Sequence, residues 1–248
     1  MGKYNSSIYR VRPLMECIEN DYDAFLSVLE LLGISSLSKP TTYCYDGVLC
    51  SEKQLKPTKQ HLLSLIDLMA TTEHRNVKIT GQNREHLFFG DPDVRKATGE
   101  QAKAELEAHY DTLTSSSRPW YMFEGFTNPD IFIEGDDYVI VGEGKWTEPH
   151  ITTTTTYLPS RNQMIRHIQG ALNYTQKKVY AFYIVDADCG YTNDLSKESF
   201  RQQLADETIQ PDNSEKVAIV NAFYGFTTWQ AIHDILPQIN FPDKNAIK

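Results

Sequence analysis

The chain has 248 residues, 40% of them hydrophobic and 23% charged, which suits one soluble α/β domain with a substantial core. No run approaches the roughly 18 apolar residues of a membrane helix, so no membrane partner is expected. The formal net charge of −9 argues against a protein that coats nucleic acid indiscriminately, while leaving room for an enzyme with a local basic channel.

The N-terminus lacks the apolar core of a signal peptide, and Met1-Gly2 with Ser6 is only a minimal myristoylation pattern, with no second membrane signal. Residues 1–40 read as helical: Asp23 to Leu32 places apolar residues at helical spacing, Gly33 suits a C-cap, and Lys39-Pro40 breaks the chain. Thr41 to Leu49 is β-prone around Asp46-Gly47, as a short strand or a hairpin tip. Cys17, Cys44, Cys50 and Cys189 lack CxxC spacing, so neither a zinc site nor a disulfide framework is expected, and a reducing cytoplasm is the default. A second helix is expected from about Pro57 to Met69, and Val77 to Thr80 reads as a short strand. Residues 93–112 form a polar amphipathic helix, and Trp120 to Phe123 reads as the first core strand.

The organising stretch follows. Two apolar, β-forming runs, Ile131 to Ile133 and Tyr138 to Val141, flank Gly135-Asp136-Asp137, which predicts an antiparallel hairpin. Asp130 opens its first strand, and Glu143 and Lys145 lie two apart on its second, on one face of the sheet. Burying a carboxylate or an ammonium costs several kcal/mol unless it is paired or bound to metal. An ordinary ion pair at an exposed strand end is the plain alternative.

After a threonine tract, Thr152 to Thr156, whose hydroxyls suit phosphate oxygens, comes a helix starting near Arg161. Met164, Ile165, Ile168, Ala171 and Leu172 form its buried stripe, while Gln163, Arg166, His167 and Gly170 recur on another face. Val179 to Val185 is a core strand covered on both faces. From Lys145 to Lys178 five basic residues face the single acid Glu148, a local charge of +4, against −6 from Asp186 to Glu215. Arg161, Arg166 and Lys177 are therefore candidate phosphate contacts. Exposed helices are expected at Lys197 to Ala205 and Ser214 to Phe223, then a turn at Gly225 and a helix capped near Thr228. Trp229 reads as core packing.

Pro129-Asp130, then Glu143-Gly144-Lys145 at the end of an apolar strand, resembles the PD-(D/E)xK nuclease superfamily. The resemblance implies an α/β, restriction-endonuclease-like core of order αβββαβ, a mixed central sheet flanked by helices. It divides the chain into a helical elaboration at about 1–80, a nuclease core at about 81–190 and a helical elaboration at about 191–248. It also implies Asp130 and Glu143 as ligands of Mg²⁺ or Mn²⁺, and Lys145 as the catalytic lysine. Glu85 is the nearest fit to the acidic residue such nucleases carry on a helix before the first core strand. Gln163 and His167 resemble the Gln-x-x-x-Tyr helix of the RecB-like branch, with His167 where that branch has Tyr. They would bind phosphate, orient the attacking water or reach a nucleotide. Together with Arg84-x-x-Leu87-Phe88-Phe89-Gly90-Asp91-Pro92, the threonine tract, Gln163 to His167 and Thr227-Thr228-Trp229, these motifs look like a family of uncharacterised bacterial proteins of this nuclease type, over roughly residues 80–235.

The implied activity is metal-dependent hydrolysis of DNA phosphodiester bonds, in repair or in defence against foreign DNA. A catalytically silent nuclease-fold module that binds nucleic acid or protein, or an RNA nuclease, is the alternative. Asp130 and Glu143 as a glycosidase pair fit poorly with the adjacent Lys145. A homodimer or a separate targeting partner is compatible with the sequence.

Overall fold

The computed structural model describes residues 5–48, 50–72, 81–152 and 155–242. Among these are nine α-helices and one five-stranded mixed sheet: β1 (Thr42–Cys44), β2 (Ile131–Glu134), β3 (Tyr138–Gly144), β4 (Lys178–Val185) and β5 (Phe223–Thr228). The strands lie side by side in chain order. β1, β2 and β3 pair antiparallel, and β3, β4 and β5 pair parallel.

The hairpin forms as its sequence predicts, with Glu134 opposite Val139 and Ile131 opposite Gly142. Strand alternation then sorts the side chains into two cores. Ile131, Ile133, Tyr138, Ile140, Phe182 and Ile184 face helices α1 (Arg12–Asn20), α2 (Tyr22–Leu31) and α9 (Trp229–Ile235). Phe132, Val139, Val141, Ala181, Tyr183 and Val185 face α6 (Gln163–Tyr174), α7 (Lys197–Ala205) and α8 (Asn213–Ala222). A third core joins α3 (Lys59–Thr71), α4 (Gln82–Phe89) and α5 (Pro92–His109) to the loop through Phe123.

Two expectations change. Trp120 to Phe123 forms no strand; the first strand of the sheet is Thr42–Cys44, and Tyr121 and Phe123 instead close the third core. Their aromatic β-propensity yields to that packing. Phe223–Thr228, read as a helix end and a turn, is the fifth strand, alternating buried and half-buried residues. α1 and α2 pack on one face of the sheet, α3 packs with α4 and α5, and the last segment supplies a strand as well as helices. The strand expected at Val77 to Thr80 lies outside the described residues.

Helix ends follow local chemistry. Asp21, Thr58, Asp91, Asn162, Ser196, Asp212 and Thr228 each accept from backbone N–H groups one to three residues into the following helix. Thr58, rather than Pro57, starts α3, and Gly33 takes φ +67 just beyond α2. No described helix is long and apolar enough to cross a membrane. All four cysteines are free thiols.

Candidate metal and catalytic site

The ends of β2, β3 and α6 converge on Glu143. Its Oε1 accepts from Lys145 Nζ at 2.8 Å and from Gln163 Nε2 at 2.7 Å, and its Oε2 meets His167 Nε2 at 3.0 Å. Gln163 Oε1 in turn accepts from Lys145 Nζ at 3.2 Å. Asp130 stands beside this cluster, its Oδ1 accepting from the Ser7 hydroxyl at 2.8 Å and its Oδ2 from Gly144 N at 3.0 Å. Asp130, Glu143, Lys145, Gln163 and His167 therefore meet in one place, as their spacing suggests.

Gln163 and His167 lie one helical turn apart and both turn inward to Glu143. His167 is fully buried, so it reaches no nucleotide itself. Burial pushes its pKa down, and the pull of Glu143 does not reverse this. A neutral ring beside an ionised carboxylate donates from Nε2, which leaves Nδ1 to accept from the Thr127 hydroxyl at 2.8 Å.

Electrostatics divide the two carboxylates. Burial alone would raise both, but Lys145 and His167 outweigh it at Glu143, holding its pKa down at about 2. Asp130 is raised well above the carboxylate range, by burial first and then by repulsion from Glu143. Lys145 is held above the ordinary lysine value because Glu143 outweighs its desolvation. Lys145 is thus an ammonium at neutral pH, and Asp130 is a carboxyl whose ionisation the site resists.

A divalent cation fits this donor set. Two carboxylates offer roughly eight lone-pair positions, and five donors occupy them here. Hard oxygens remain on both residues, and Mg²⁺ keeps most of its waters and needs only one or two carboxylates. The repulsion between Asp130 and Glu143 is what a cation between them relieves. Among the described residues no group of three His, Cys, Asp or Glu is placed to hold a metal. The half-buried Glu52 feels the charge of Glu143, which adds to the upward shift that burial gives it.

The remaining candidates lie elsewhere. Glu85 is exposed on α4, beside Gly81, His86 and Phe89, and no bond joins it to Asp130 or Glu143. Arg84 turns inward and donates to the carbonyls of Trp120 and Met122 at 2.6 and 3.2 Å. Arg161 is 2% exposed; it grips Glu124 at 3.0 Å, Glu207 at 3.0 Å and Gln169 at 2.6 Å, so it does not face a phosphate. Lys177 pairs with Glu134 at 2.7 Å, at the far end of the hairpin. Four residue steps of extended chain separate Glu134 from Asp130, roughly 13 Å. The basic surplus of 145–178 is therefore largely neutralised or remote, and Arg166 alone of the three phosphate candidates stays near the site. It is 20% exposed and lies 3.5 Å from Glu124. The threonine tract forms no strand where described; residues 153 and 154 lie outside the described residues, and the Thr152 carbonyl accepts from Gln163 N at 3.0 Å.

Several partners have no sequence signature. Ser7 lies in a π-helical turn, Ser7–Val11, that covers Asp130. A Cβ on Gly144 would sit 2.5 Å from Val11 Cγ2 and 3.1 Å from the Trp229 ring, so only glycine fits between Glu143 and Lys145. Trp229, besides packing in the core, donates from Nε1 to the Lys145 carbonyl at 2.7 Å. No protein-family model, curated protein or solved structure matches the chain.

Proposed function

We propose that the chain is a metal-dependent nuclease of PD-(D/E)xK type, hydrolysing phosphodiester bonds of DNA. The observation that carries this reading is the meeting of Asp130, Glu143 and Lys145 at one end of β2 and β3, with Lys145 Nζ 2.8 Å from Glu143. β2, β3, α6 and β4 follow one another in a mixed sheet, which supports the later part of an αβββαβ order, while α3, α4 and α5 intervene between β1 and β2.

Mg²⁺ or Mn²⁺ held by Asp130 and Glu143 would supply a polarised phosphodiester and a bound water of lowered pKa. Lys145, charged at neutral pH, is placed to stabilise negative charge as it develops on the phosphate rather than to take a proton. Gln163 couples the two, donating to Glu143 and accepting from Lys145, and so fixes the ammonium in place. His167 holds the other oxygen of Glu143 and is a positioning residue. Arg166 would contact a flanking phosphate.

The test is cleavage of single- and double-stranded DNA with Mg²⁺ or Mn²⁺ by wild type, Asp130→Asn and Lys145→Ala. Metal-dependent cutting lost in both variants supports the proposal. Equal cutting by all three proteins removes it. One observation favours a second reading, that of a silent nuclease-fold module: Asp130, Glu143 and Lys145 are only 9%, 3% and 6% exposed. Tight binding of nucleic acid without hydrolysis, with either metal and with DNA or RNA, would favour that reading.

A further inference from the structure

A cleft of about 650 Å³ opens between α4, the loop Ser115–Asn128 and Gln54. Its lining includes two arginines, Arg84 and Arg118, and no carboxylate, in a chain of net charge −9. Aromatic rings (Trp120, Phe126), hydroxyls and amides complete it. Cations beside aromatic faces form the chemistry that holds a nucleotide: charge for the phosphate and a ring for the base.

The cleft is held in shape. Arg84 fixes the loop through the carbonyls of Trp120 and Met122. Trp120 Nε1 donates to Glu105 at 2.9 Å, which sets the plane of the indole. Arg118 is exposed, with Nη1 bonded to the carbonyls of Ser115 and Ser117 at 2.6 and 2.7 Å. The cleft also adjoins a second hollow. Gln54 and Asn128 line both it and this hollow of about 670 Å³, which carries Asp46, Glu52 and Lys53. Asn128 stands two residues before Asp130, and Arg166 donates to the Gly125 carbonyl at 3.4 Å.

We propose that this cleft seats a single-stranded nucleic-acid segment flanking the bond to be cut, a base on Trp120 and a phosphate on Arg118. The proposal deepens the nuclease reading and rests on it only for the direction in which the strand runs. Binding and hydrolysis are therefore measured apart.

The experiment is fluorescence anisotropy of a labelled eight-nucleotide single strand, without divalent cation, against the full chain. Arg118→Glu is expected to weaken binding at least tenfold. Arg118→Ala should flatten the slope of log K against log salt by about 0.7, one phosphate contact. Trp120→Ala is expected to cost about tenfold, within the range for one stacked base. Arg201→Glu, on the exposed face of α7, should change binding less than twofold. Wild-type binding that Arg118→Glu leaves unchanged overturns the proposal even if cleavage is intact. So does the absence of binding by wild type, or displacement by a mononucleotide as effective as by the strand.

Discussion

His167 Nε2 lies 3.0 Å from Oε2 of Glu143, on the side of the carboxylate opposite Lys145. Both sides of the carboxylate are therefore fixed, one by a neutral imidazole and the other by an ammonium and an amide. His167→Ala removes one of these supports and leaves the Thr127 hydroxyl unpaired. Loss of such an outer partner typically costs about 10–100-fold in metal affinity or activity. His167→Gln, which retains a donor, should recover part of the loss. Metal titration and initial rates on both variants check this; identical rates for Ala and wild type would remove the positioning role.

Arg161→Ala separates a structural role from a phosphate-binding one. The guanidinium neutralises two buried glutamates, and breaking such a network costs about 3–5 kcal/mol. Arg161 holds Glu124 well below the ordinary carboxylate range against the opposing effect of burial. The stability this gives is present above the unfolded-state pKa and is lost as pH falls through the lower folded value. Arg161→Ala should therefore lower Tm sharply at pH 7. Lys177→Ala, at a partly exposed pair, should cost less than about 1 kcal/mol and leave cleavage unchanged.

The hairpin and the inward face of α6 were legible in sequence because both rest on local periodicity. A Gly-Asp-Asp turn between β-forming runs sets the register, and that register brings Asp130 beside Glu143. An i, i+4 pair on an amphipathic helix can only share a face, so Gln163 and His167 arrive together. Long-range burial decides the rest. Arg161 looks like a phosphate contact until Glu124 and Glu207, 37 and 46 residues away, close around it. Ser7 reaches Asp130 across 123 residues, and no spacing rule announces that contact. Trp120 to Phe123 has strand composition, yet the third core claims it while three residues near position 43 complete the sheet.

Gly144→Ala tests the cover over the site. The added methyl would meet Val11 and Trp229, displacing the Ser7–Val11 turn and withdrawing the Ser7 hydroxyl from Asp130. Overpacking of this kind costs typically about 1–3 kcal/mol. A lowered Tm together with weaker metal binding is expected, measured by thermal melts with and without Mn²⁺. A variant as stable as wild type with unaltered metal affinity would contradict the close packing of that turn.

Asp130 sets a pH dependence of opposite sign to that of Glu124. Its folded-state pKa is raised, so the metal-free protein loses stability as pH climbs from the unfolded-state value through the folded one. Asp130→Asn escapes this: its amide can accept from Gly144 N and donate to Ser7. In chelator at pH 8 the variant should melt a few degrees above wild type, since ~1 kcal/mol corresponds to roughly 2–4 °C for a chain of this size. Mn²⁺ should raise the Tm of wild type, more at pH 8 than at pH 5, and leave the variant unmoved. A variant less stable than wild type in chelator would contradict the strained carboxylate.

The most direct measurement is calorimetric titration of Mn²⁺ into wild type and Asp130→Asn at pH 8, with Glu85→Gln as a third protein. Saturable binding to wild type and to Glu85→Gln is expected, with its loss in Asp130→Asn. No binding to wild type, or equal binding to all three, would contradict a metal held by Asp130 and Glu143.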